Sequence, residues 1–146
     1  LYLFYRHFRA FYLLKLQIME KIHIHIRPTQ TLNTVMEFNY LLFLKTLKNF
    51  IKQHFPNIQV SYIERDWDDI EVYLANGTQI EFFPNGDWKE VKCYMNMPAS
   101  ILPANVMATI QRTYPQAAII KIEKQFTIFE VKLNNMMELY IDNNGT

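Results

Sequence analysis

Five carboxylates crowd one short stretch of this 146-residue chain: Glu64, Asp66, Asp68, Asp69 and Glu71. Paired carboxylates can serve as general acid and base, or take up calcium. A calcium loop needs glycine and acidic residues at set intervals, and this stretch lacks that spacing. Four histidines are present: His7, His23, His25 and His54. His54 sits just before Phe55-Pro56, at the end of a predicted helix, and reads as a surface residue. His23 and His25 would point to one side of a strand and offer two metal ligands, with no third evident. Cys93 is the single cysteine. It excludes an intrachain disulfide and a cysteine-based zinc site, and a lone thiol usually packs as a small hydrophobe. Catalysis needs a nucleophile, a base and an orienter, or a metal cluster. The sequence offers neither, so it predicts a non-enzymatic chain without metal or cofactor.

The elements that carry these residues emerge from an internal repeat. Shifted by 59 positions, residues 51–86 fall on 110–145 without a gap, with 10 identities over 36 positions. Ile51 meets Ile110 and Pro56 meets Pro115. Ile63-Glu64 meets Ile122-Glu123, and Glu71-Val72 meets Glu130-Val131. Leu74, Asn76 and Asn85-Gly86 meet Leu133, Asn135 and Asn144-Gly145. Similar residues fill the gaps, among them Trp67 on Phe126 and Ile80 on Leu139.

Each copy has the same local grammar. Phe43, Leu44, Leu47, Phe50 and Ile51 recur at helical steps, and Phe55-Pro56 ends that helix. Pro103 opens the second helix, Val106, Met107 and Ile110 form its face, and Tyr114-Pro115 closes it. Ile70, Val72 and Leu74 then alternate with polar residues, as do Phe129, Val131 and Leu133. Period two with one apolar face predicts half-buried antiparallel strands. Asn76-Gly77 predicts a two-residue hairpin with positive φ at both positions. Trp88–Tyr94 reads as a fourth strand of the first copy. The fold class is therefore α+β, with two tandem units, each a helix followed by an antiparallel sheet. The predicted boundaries are 41–95 and 96–146, after a poorly determined segment 1–40 whose residues 29–36 read as loop.

Composition bounds the partners. The formal charge is +1 and half the residues are hydrophobic. No global field selects a nucleic acid, and none is expected. Residues 1–40 are locally basic, with Arg6, Arg9, Lys15, Lys21 and Arg27 against Glu20 and Glu37. Leu1, Phe4, Phe8 and Phe11 fall at helical steps among these charges, so membrane contact is expected only if residues 1–18 are native. Lys21–Arg27 alternates like a strand. No apolar run approaches a membrane span, and no signal-peptide order is recognisable. The chain does not start with Met, and Met19 and Met36 are candidate starts.

Phe50–Val91 reads helix, His-Phe-Pro, strand, acidic tip, Glu-Val strand, Asn-Gly turn, Ile-Glu-Phe strand, then Asn-Gly-Asp-Trp-Lys-Glu-Val. Leu102–Thr146 reads Leu-Pro, helix, Tyr-Pro-Gln-Ala, Ile-x-Lys-Ile-Glu, then Phe-Glu-Val-Lys-Leu. Over residues 43–146 this order resembles the PepSY-like proteins of Bacteroidetes described as similar to beta-lactamase inhibitor protein. The resemblance implies tandem helix-plus-sheet units, a periplasmic or cell-surface location, and protein binding or inhibition by analogy of fold.

The residues themselves place any binding on the outer sheet face. If Ile70, Val72, Leu74, Ile80 and Phe82 face the helix, then Glu71, Tyr73, Glu81 and Phe83 face out. Glu130, Lys132, Glu138 and Tyr140 do so in the second copy. Exposed aromatics among charges match the anchors of protein interfaces. The expected binding residues are Tyr73, Phe83, Trp88 and Tyr140 as aromatic anchors, with Asp68 and Asp69 as an acidic tip. The competing expectation is a structural or regulatory sensor domain without a tight protein target. Oligomeric state is left open.

Overall fold

The computed structural model describes residues 34–146, apart from Trp67 and Asn96. The features expected in residues 1–33, including the His23/His25 pair and the basic amphipathic stretch, lie outside the described residues.

The first helix, α1, spans Thr34–His54. It starts earlier than the apolar spacing predicts and runs through residues 34–36, read above as loop. No Gly or Pro lies between 34 and 54, so nothing in the sequence breaks the helix before Phe55-Pro56. Four strands follow: β1 (Val60–Arg65), β2 (Ile70–Leu74), β3 (Gln79–Phe82) and β4 (Trp88–Lys92). Helix α2 (Ala104–Thr113) then leads into β5 (Ile119–Gln125), β6 (Ile128–Leu133) and β7 (Glu138–Asp142). Pro103 caps α2 without a side-chain hydrogen bond, and the Tyr114 amide closes it on the Ile110 carbonyl.

All seven strands form one antiparallel sheet in chain order, β1 to β7. Register repeats at the offset seen in the sequence. Val60 opposes Leu74 and Ile119 opposes Leu133; Ile63 opposes Val72 and Ile122 opposes Val131. Even the irregularity recurs, between Val60 and Tyr62 and again between Ile119 and Lys121. The joint between the halves is a sheet pairing, Val91 opposite Ile122 between β4 and β5.

One face of the sheet carries a continuous apolar cluster. Val72, Ile80, Phe82, Val91, Ile122, Val131 and Leu133 bury against Phe43, Leu44, Leu47 and Ile51 of α1 and Val106, Met107 and Ile110 of α2. Each such aliphatic side chain contributes roughly 1.5–3 kcal/mol on full burial.

The β2–β3 turn departs from the expected two-residue form. The Gly77 amide donates to the Leu74 carbonyl, and the Leu74 amide to the Thr78 carbonyl. The loop is thus Ala75-Asn76-Gly77, and only Gly77 takes positive φ, at 83°. This is the three-residue hairpin, a type I turn closed by one left-handed residue. Asn76 instead accepts the Thr78 amide on its side chain. In the second half Met136 occupies the Gly77 position at φ 70°, and Asn135 accepts the Met137 amide.

Candidate functional site on the outer sheet face

The face opposite the helices is built by strand register. Glu64 opposes Glu71, Glu71 opposes Glu81, Glu81 opposes Glu90, Glu90 opposes Glu123, and Glu123 opposes Glu130. Glu130 then opposes Tyr140 on β7. Six glutamates therefore cross the sheet in one row, with a tyrosine at its end. The adjacent row reads Tyr62, Tyr73, Gln79, Lys92, Lys121, Lys132 and Glu138.

Like charges directly opposite one another destabilise a sheet. The lysines offset this. Lys121 bridges Glu90 at 2.7 Å and Glu123 at 3.0 Å, across the joint between the halves. Lys92 lies 2.6 Å from Glu90. Lys89 pairs with Glu81 and comes within 3.9 Å of Asp69. Lys132 pairs with Glu138 at 2.9 Å.

The carboxyls respond in opposite directions. Burial pushes Glu90 up, but the ammoniums of Lys121 and Lys92 outweigh it and hold the group below its ordinary range. Glu81 is raised, chiefly by burial and further by the nearby Asp69 carboxyl, with Lys89 opposing. Glu130 is raised by burial and by its neighbours Glu138 and Glu123. Protonation on acidification thus costs stability at Glu90 and relieves strain at Glu81 and Glu130.

The expected binding residues separate in space. Tyr73 lies on the outer face, where its ring stacks on Tyr62 at 4.2 Å and 11°. Its hydroxyl donates to the Glu71 carboxylate, which with burial holds the phenol above its usual range. Phe83 is 38% exposed just beyond β3, with the Lys89 ammonium 5.8 Å from its ring. Asp69 is half-buried and Asp68 exposed at the β1–β2 tip. Asp69, Phe83, Glu81 and Lys89 therefore form one cluster. Tyr140 stands on the same face at the opposite side, five strands from Tyr73, or roughly 24 Å at the usual strand spacing. The charges of Glu130 and Glu138 raise its phenol.

Trp88 is on the other face. Its ring stacks on Phe129 at 6.3 Å and 11° and packs beside Phe50, also at 6.3 Å. A register shift opposite Glu81 and Phe82 turns it inward, where simple alternation from Val91 points it out. Tyr62, which stacks on Tyr73, and the complete glutamate row were missed. Glu64/Glu123 and Glu71/Glu130 were visible as repeat identities, but their alignment across strands follows only from register.

The remaining chemistry-bearing residues are held apart. His54 bonds Ser100 at 2.7 Å and packs on Phe50, and burial lowers its pKa. Cys93 is buried, accepting from Thr78 and donating to the Met95 carbonyl. Among the described residues, no three His, Cys, Asp or Glu side chains group to hold a metal. Nor is any described helix long and apolar enough to cross a membrane.

This α+β chain matches a known family and several solved structures. The profile provisionally described as beta-lactamase-inhibitor-like, PepSY-like, matches residues 68–146. A solved protein from Bacteroides thetaiotaomicron, provisionally named calcium-regulated and periplasmic, is 37% identical. The match covers 67% of this chain and 81% of that one, with a TM-score of 0.62. The chain belongs to the PepSY-like family. A second solved protein, a provisionally periplasmic DUF2874-family protein from Bacteroides vulgatus, is also 37% identical over the same shares, with a TM-score of 0.60. A third, from the same species and of unknown function, is 28% identical over 69% of this chain and 85% of that one, with a TM-score of 0.62. No curated protein matches.

Proposed function

We propose that this PepSY-like chain is a non-catalytic, extracytoplasmic module that binds another protein through its outer sheet face. The observation that carries the reading is the stacked Tyr62–Tyr73 pair beside the glutamate row, on a face that no described helix covers. Stacked tyrosines are rigid, amphipathic anchors, and the flanking charges select a partner by complementarity. Tyr73, Phe83 and the Asp68–Asp69 tip form one end of the surface, and Tyr140 the other. Trp88 supports it from beneath through the core. The provisional periplasmic names of the relatives support an extracytoplasmic location. The shared registers support two units, 41–95 and 96–146, joined through β4 and β5.

Capture from a native envelope extract tests the reading. The double variant Tyr62→Ala/Tyr73→Ala is expected to lose at least tenfold in capture of a specific partner, as loss of a hot spot of about 2 kcal/mol would give. Undiminished capture, with the fold intact by circular dichroism, rules out this face. A partner enzyme inhibited by the wild type and not by the variant would assign inhibition.

A further inference from the structure

The repeat builds the same square of side chains twice on the outer face. In the second unit Lys121 opposes Lys132, and Glu123 opposes Glu130. Lys121 lies 3.0 Å from Glu123 and Lys132 lies 3.9 Å from Glu130, so each carboxylate has an ammonium beside it. At the 59-residue offset the first unit has Tyr62, Tyr73, Glu64 and Glu71, and its register is the same: Tyr62 opposes Tyr73, and Glu64 opposes Glu71. The facing carboxylates are kept, and a tyrosine stands in place of each lysine. Among the described residues, neither Glu64 nor Glu71 has an ion-pair partner.

Facing carboxylates without a cation destabilise a sheet. Lysines at these two positions would relieve that, as they do in the second unit. The tyrosines supply instead an aromatic surface, two parallel rings 4.2 Å apart with Tyr62 44% exposed. Tyr73 covers one face of the Tyr62 ring. β1 is an edge strand, so no further strand of the sheet covers the other. The carboxylates also have acceptor sites to spare. Glu71 takes one bond, from the Tyr73 hydroxyl, whereas a carboxylate offers about four lone-pair sites. Glu64 is exposed. An open aromatic face beside two carboxylates attracts a cation through the ring quadrupole and the negative charge together.

We infer that the square of Tyr62, Glu64, Glu71 and Tyr73 takes an arginine side chain of the partner protein. Its guanidinium lies on the Tyr62 ring and donates to the Glu64 and Glu71 carboxylates. Arginine fits better than lysine because a planar guanidinium stacks on a ring while its edge forks to carboxylates, and an ammonium is a hydrated point charge. The second unit has no such site, because Lys121 and Lys132 already hold its carboxylates. The inference rests on the outer-face reading and names the chemistry that this end of the face recognises.

Titration of the full chain with N-acetyl-arginine amide, read by the backbone amide shifts of residues 62–73, tests it without the partner. Saturating shifts are expected in the millimolar range. The citrulline analogue keeps the shape and loses the charge, and should bind more weakly by about tenfold or more. The lysine analogue should also bind more weakly. Tyr62→Lys/Tyr73→Lys installs the second unit's own cations and should abolish the response. Glu64→Gln/Glu71→Gln keeps the stacked rings and should abolish it too, so the test stands even if one variant fails to fold. Equal binding of the citrulline or lysine analogue overturns the inference, as does an undiminished response in either folded variant. No response to the arginine compound up to roughly 50 mM also overturns it. If capture is nevertheless lost in Tyr62→Ala/Tyr73→Ala, the outer-face reading stands and only the arginine falls.

Discussion

Phe82→Ala lowers the stability of the whole chain by about 3–5 kcal/mol, seen as a fall in the denaturation midpoint with unchanged slope. Phe82 is fully buried at the centre of the first four strands. Its ring meets Phe43 edge-on at 6.1 Å and Phe50 at 5.4 Å, both on α1. Truncation removes the anchor of α1 and leaves a cavity that a close-packed sheet cannot collapse. The apolar cluster runs without a break from Phe43 to Ile141, so both halves should unfold in one transition. Two separated transitions in the variant would mean that the units hold separate cores.

Lys121→Met costs about 2–4 kcal/mol, less than the loss of a fully buried ion-pair partner because this site keeps some solvent. Lys121 is the cation between Glu90 and Glu123, which oppose each other directly across β4 and β5. Its side chain is 19% exposed and that of Glu90 only 11%. Methionine preserves the packing of the stem but leaves two facing carboxylates with less compensation. Adding Glu90→Gln should recover much of the loss, a coupling measured by the double-mutant cycle. The pH dependence has a definite sign. The folded pKa of Glu90 is depressed, so its contribution is present above the unfolded value near roughly 4.3 and lost as pH falls through the folded one. With Lys121 gone the depression shrinks, and the acid limb of the melting-temperature profile should move to higher pH.

Much of the scaffold is legible in the sequence because burial enforces it. Ile70, Val72 and Leu74, like Phe129, Val131 and Leu133, alternate because one sheet face is packed, and each is buried as the alternation predicts. The repeat goes further, since a shared offset forces shared registers. What alternation cannot carry is an extra residue. The shift opposite Glu81 and Phe82 turns Trp88 inward, so an outward anchor becomes a core ring. Turn detail fails for a related reason: Asn76-Gly77 fits two hairpin types, and the Thr78 pairing selects between them. The glutamate row is invisible in one dimension because its members lie 7 to 33 residues apart and meet only through lateral pairing.

On the proposed reading a protein partner covers the outer sheet face. Covalent labelling of the isolated chain and of the captured complex tests it most directly. Tyr62 and Lys132 on that face should become at least several-fold less reactive in the complex. Lys45, Lys48 and Lys52, exposed on α1, should label as before. Protection of the α1 lysines with Tyr62 and Lys132 unchanged would place the partner on the helical side and contradict the account.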